Sequence, residues 1–156
     1  MSQQGIRGYY QLTSTIEEQL RGTEFTNTVS IGDISKVNLN KQDIFPLAHM
    51  IVNSVTAEEQ VLRFNISILA CDIVDQSKDI TTDRFTGNDN EQDILNTQLL
   101  VLNKLIQRLR MGSLHTDMYQ LEGDPTLSPF SDRFENELAG WTADITILIY
   151  NDIYIC

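Results

Sequence analysis

Residues 61–73 read VLRFNISILACDI. Leu62, Phe64, Ile66, Ile68 and Ala70 alternate with Arg63, Asn65, Ser67 and Leu69, the two-residue period of a strand with one buried face. Just upstream, residues 47–55 (LAHMIVNSV) are apolar and rich in β-branched side chains. The polar segment Thr56-Ala57-Glu58-Glu59-Gln60 between them has the length of a hairpin connection. The spacing predicts a long antiparallel hairpin over 47–55 and 61–73.

Downstream, the period changes to that of a helix. Leu95, Leu99, Leu102, Ile106 and Leu109 form one apolar stripe over residues 91–111. Glu91 and Asp93 suit the positive end of such a helix and Arg108 and Arg110 the negative end, with Gly112 as a stop. Residues 114–121 alternate weakly, as a further short strand. Gly123-Asp124-Pro125 and Ser128-Pro129 predict a turn-rich loop. Trp141, Ala143, Ile145, Ile147 and Ile149 then alternate with Thr142, Asp144, Thr146 and Leu148, which predicts a final strand.

Upstream of the hairpin, Tyr9, Leu12, Ile16 and Leu20 recur at helical spacing and Gly22 can end that helix, predicted over 9–21. Phe25, Val29 and Ile31 alternate with Thr26, Thr28 and Ser30 as a strand, and Gly32-Asp33 turns the chain. Val37 and Leu39 suggest a short extended piece before Pro46. Residues 1–8 are expected to be a flexible N-terminus, 74–90 a long acidic loop carrying Phe85, and 151–156 a C-terminal tail. No repeat or linker divides the 156 residues. The economical arrangement is one α+β domain, a mainly antiparallel sheet with a long hairpin and two helices packed on one face.

The net charge is -11 and unevenly spread. Residues 72–93 net -5, residues 117–152 net -7, and residues 94–116 net +3. Nucleic-acid affinity comes mainly from neutralising phosphates, so this chain is a poor candidate for gripping DNA. An acidic wall would instead repel DNA and let it slide past. No apolar run approaches the roughly 20 residues of a membrane span, and the opening MSQQGIRGYY reads as no secretory signal. Cys71 and Cys156 make no disulfide framework and read as free thiols from a reducing compartment.

Catalytic patterns are not evident. Gly5-Ile6-Arg7-Gly8 lacks the strand before it and the lysine after it that a phosphate loop needs. His49 alternates with Leu47 and Ile51 and reads as a packed or interface residue, whereas His115 reads as a surface or capping residue. Asp72, Asp75, Asp79 and Asp83 recur every three or four residues, but the ligand pattern and turn glycine of a calcium loop do not occur. No metal or cofactor is expected, and the chain is read as a non-enzyme.

The stretch Pro129-Phe130-Ser131-Asp132-Arg133-Phe134-Glu135-Asn136-Glu137-Leu138-Ala139-Gly140-Trp141 precedes the last strand. Earlier, Val29-Ser30-Ile31-Gly32-Asp33 leads to Asp43-Ile44-Phe45-Pro46-Leu47-Ala48-His49. Together, over residues 9–150, these resemble the small tail-terminator, or tail-completion and neck, proteins of tailed bacteriophages. That resemblance implies a mixed sheet-and-helix subunit of a ring, usually hexameric. Such a ring caps the tail tube and joins it to the head–tail connector. The implied partners are further copies of the chain, tail tube and sheath, and connector or portal-adaptor proteins, with DNA only as passing cargo and no membrane. The implied location is the tail–neck junction of the virion, the protein being made in the host bacterial cytoplasm. The long acidic segment 74–90 departs from the pattern.

Expected subunit or partner contacts are Glu58 and Glu59 at the hairpin tip, Phe85, and the loop around Phe130 and Arg133. Asp79, Asp83 and Asp89 are expected to line an acidic lumen. Trp141 is expected in the core. Two other readings compete: a module that binds protein through an exposed sheet edge, and a hydrolase built on paired carboxylates.

Overall fold

The alternation in residues 61–73 and 138–150 places these two segments side by side at the centre of the sheet. In the computed structural model, which describes residues 4–33, 44–74, 91–111, 119–133 and 138–150, the elements are α1 (Gln4–Arg21), β1 (Thr28–Ile31), β2 (Leu47–Ala57), β3 (Val61–Ile73), α2 (Glu91–Met111), β4 (Tyr119–Arg133) and β5 (Leu138–Tyr150). The five strands lie in the order β1-β2-β3-β5-β4. Every neighbouring pair is antiparallel except β1 and β2, which are parallel. This is an α+β fold with both helices on one face of a mostly antiparallel sheet.

Register explains the core. Phe64, Ile66 and Ile68 of β3 stand opposite Ile147, Ile145 and Ala143 of β5, and all six are at most 1% exposed. Met50 of β2 continues this row beside Ile68. Against this face α1 sets Leu12, Ile16 and Leu20, and α2 sets Val101, Leu102, Leu105, Ile106 and Leu109, all in one buried cluster with the sheet. Each such side chain contributes about 1.5–3 kcal/mol of burial.

The elements depart from expectation in four places. First, α1 starts at Gln4, five residues before Tyr9. Gly8 is buried, and a methyl there would stand 3.7 Å from Leu62, so the helix's first turns pass close over β3. Second, β1 is only four residues long, because Gly22 to Asn27 are spent on the turn out of α1; the Asn27 and Thr28 amides both donate to the Pro46 carbonyl.

Third, the expected loop at 123–129 is strand: β4 runs through it to Arg133. Two features permit this. Gly123 adopts φ 68°, at a register shift between Glu122 and Thr126. β4 is an edge strand, where Pro125 and Pro129 need not supply ladder hydrogen bonds on both sides. Fourth, the buried arc of α2 is broader than the predicted stripe. Leu102, Ile106 and Leu109 are buried as expected, but Leu95 and Leu99 are only half-buried, while Ile94, Gln98, Val101 and Leu105 face inward. Contact with both α1 and the sheet widens the face that must be covered. The expected piece at Val37 and Leu39, and His115, lie outside the described residues.

Candidate assembly surface

In the outer half of the β2–β3 hairpin, β3 is paired with β5, while the other side of β2 is open among the described residues. β1 pairs with β2 only over Leu47 to Met50, and residues 53–60 are all exposed. From Ile51 onward, β2 therefore has no neighbour on its outer side among the described residues. Asn53 is the extra residue of a bulge between Val52 and Ser54, which strengthens local twist. Val55, beyond it, is 44% exposed. The tip closes with the Glu58 amide donating to the Val61 carbonyl at 2.9 Å.

The two tip carboxylates differ. Glu58 accepts from Arg63 at 2.9 Å, and the same guanidinium also pairs with Glu122 of β4. One arginine thus ties the hairpin to the far edge of the sheet. These groups are partly exposed, so the triad orients the tip more than it stabilises the fold. Glu59 is exposed at the turn. Of the expected contacts, Glu59 is therefore the carboxylate not engaged by Arg63.

On the sheet face away from the helices, the chain is divided. Beside the hairpin it is polar: Asn53 donates to Ser67 Oγ at 2.7 Å, and Ser67 donates to Asp144 at 2.5 Å, crossing three strands. At the other end it is apolar, with Phe45, Leu47, Cys71, Phe130 and Leu138 clustered. Phe130, expected on a contact loop, belongs to this cluster and is 6% exposed. It lies on β4 opposite Gly140. Arg133 is the last residue of β4, and its side chain lies outside the described residues, as do Phe85, Asp79, Asp83 and Asp89.

His49 is fully buried, with Ser30 Oγ 2.6 Å from Nδ1 and the Gly32 carbonyl 2.6 Å from Nε2. A carbonyl can only accept, so Nε2 carries the proton and Nδ1 accepts from the Ser30 hydroxyl. Burial lowers the imidazole pKa, outweighing the Gly32 hydrogen bond and the Asp33 charge, which raise it. The ring is neutral and both nitrogens are used. It clasps the edge strand β1 to β2 and offers no free base to a substrate. This matches a packed histidine.

Exposed apolar residues appear where the pattern gave no signal. Phe25 is 42% and Leu100 49% exposed, and both border a hollow of about 380 Å³ between the α1–β1 turn and α2. Phe25 was expected in a strand, and Leu100 lies off the predicted stripe. The adjacent pair Leu99-Leu100 was the one available hint, since two successive leucines cannot share one face of a helix.

Among the described residues, no group of three or more His, Cys, Asp or Glu side chains is placed to hold a metal ion. Among them too, no helix is long and apolar enough to cross a membrane. The sequence matches no protein-family model and no curated protein.

Proposed function

We propose that the protein is a non-enzymatic structural subunit of a phage virion. It assembles head to tail into a ring, hexameric as in the family it resembles, that terminates the tail tube and joins it to the head–tail connector. The observation that carries this reading is the pair of dissimilar strand edges that are open, among the described residues, on opposite sides of one sheet. One is the outer half of β2 from Ile51 to Ala57; the other is β4. A ring requires two different surfaces that complement each other, because its contacts are heterologous. Between β2 and β4 the strand direction reverses three times, so β4 of one copy would meet β2 of the next antiparallel. The bulge at Asn53 and the prolines of β4 limit that pairing to short stretches, a feature that guards against open-ended aggregation.

The charge supports the same reading. Glu122 and Asp144 lie on the sheet face away from the helices, and a net charge of -11 suits a bore through which DNA slides. Asp79, Asp83 and Asp89 are assigned to that bore: reversing their charge is expected to slow DNA ejection while leaving assembly intact. Light scattering and negative-stain imaging over a concentration series test the proposal. Rings, or concentration-dependent growth toward them, are expected, either alone or on an added tail-tube protein. A strict monomer that also ignores the tube protein would overturn it. The β4 edge, unpaired among the described residues, favours a second reading, a module that adds an extended peptide as a further strand; a monomer that captures such a peptide would establish it.

A further inference from the structure

Gln98 occupies a core-facing position of α2, between Ile94 and Val101, and is 2% exposed. Its amide has no hydrogen-bond partner among the described residues. An apolar residue would be ordinary there, and a buried amide without a partner is destabilising. The side chain lines a cleft of about 280 Å³ between the α1–β1 turn and the first turns of α2. Three carboxylates share that cleft, Asp72 from the end of β3, Asp93 from α2 and Glu24 from the turn, and among the described residues no basic side chain lines it. Phe25 and Pro46 supply apolar wall.

Asp72 is the least solvated of the three. It is half-buried, and one of its oxygens accepts from the Ile73 amide at 2.8 Å. Burial raises its carboxyl pKa more than that hydrogen bond lowers it. The buried amide and the desolvated carboxylate therefore lack the same thing, a donor-rich cation. Water could satisfy the amide but would leave the carboxylate without a counter-charge.

We propose that this cleft binds a guanidinium or ammonium group carried on an aliphatic stem. The charged head sits between Gln98, Asp72 and Asp93, where charge-assisted hydrogen bonds are strongest. The stem lies along Phe25 and Pro46, and the Phe25 ring favours a cation over its face. The volume admits one group the size of an amino-acid side chain, below the range of roughly 300–1,000 Å³ common for larger ligands. The site does not depend on ring formation, and a monomer would bind equally well.

The test is an NMR titration of the isotope-labelled full chain with N-acetyl-arginine amide, matched by N-acetyl-citrulline amide, which has the same shape and no charge. Saturable shifts are expected at Asp93, Ile94, Thr97 and the Gln98 side chain for the arginine compound alone, at millimolar affinity. Asp72→Asn should weaken binding about tenfold by removing the desolvated carboxylate. Gln98→Met should weaken binding and also raise the unfolding midpoint, because it removes the unpartnered amide. Tighter binding of agmatine than of the blocked arginine would assign the site to a free small cation; the reverse would assign it to a basic side chain of a protein partner. Equal shifts with the citrulline compound, or shifts that spread over the surface without saturating, would overturn the proposal. So would undiminished binding by both variants.

Discussion

The indole N–H of Trp141 donates to the main-chain carbonyl of Leu95 at 2.7 Å. This bond joins Trp141, a partly buried residue of β5 packed against the core, to the second turn of α2. Trp141 also stands opposite Ala70 of β3 and Pro129 of β4, so it fixes α2 against three strands at once. Trp141→Phe keeps an aromatic ring and removes the donor. The expected loss is about 1–2 kcal/mol, one net hydrogen bond plus imperfect packing. Urea denaturation reads it, and an unchanged midpoint would show that the bond contributes nothing.

Gly140 is required by close approach. A Cβ there would lie 2.0 Å from the Ala70 carbonyl oxygen and 2.7 Å from the Cys71 Cα. Both obstacles are backbone in the central strand pair and cannot swing away. Gly140→Ala is therefore expected to cost at least about 3 kcal/mol, the upper end of overpacking, or to prevent folding. Gly123→Ala, at a positive φ but in open space, should cost only about 1 kcal/mol. Thermal melts of the two variants check the ranking, which is wrong if Gly140→Ala is the milder change.

The His49 clasp makes stability depend on pH. In the unfolded chain a histidine titrates near 6.5, and in the fold His49 titrates lower. As pH falls, the unfolded state takes up the proton first, so the stabilisation is complete above about 6.5 and is lost progressively below it. The urea midpoint should fall between about pH 7 and pH 5, and that slope should be shallower in His49→Phe. Parallel profiles for the two proteins would show that His49 does not titrate differently on folding.

Burial, aided by the neighbouring charge of Asp72, pushes the Cys71 thiol up to about 12. Thiolate, the reactive form, is then almost absent at neutral pH. In a Cys156→Ser background, native protein should resist a thiol reagent at pH 8, and denaturant should release one reactive thiol. Rapid labelling of the native protein would place Cys71 outside the packed cluster.

How legible this was in the sequence depended on how local the signal is. The β2–β3 hairpin, α2 from Glu91 to Met111 and the final strand follow directly from period-two and helical patterns. β4 did not, because Gly123, Pro125 and Pro129 are turn residues in any local reading; only the knowledge that β4 is an edge strand makes them compatible with a ladder. Phe130 was misplaced for the same reason. The parallel pairing of β1 with β2 was also invisible, since a four-residue strand carries no information about its direction. Gln98 could have been flagged as the polar residue between Ile94 and Val101. Its burial became visible only when both α1 and the sheet were seen to press on α2.

The strand order also has a kinetic consequence. β2 with β3, joined by three residues, and β4 with β5, joined by four, are local pairs that close cheaply. The pairing that unites them, β3 with β5, joins segments separated by the whole of α2 and β4. Closing that seam carries most of the loop entropy, so it is expected to set the folding rate. Substitutions across the seam, such as Ile66→Val or Ile145→Val, should slow folding more than equally destabilising changes at the hairpin tip. The centre of the sheet, its best-buried part, would then be the last to be assembled.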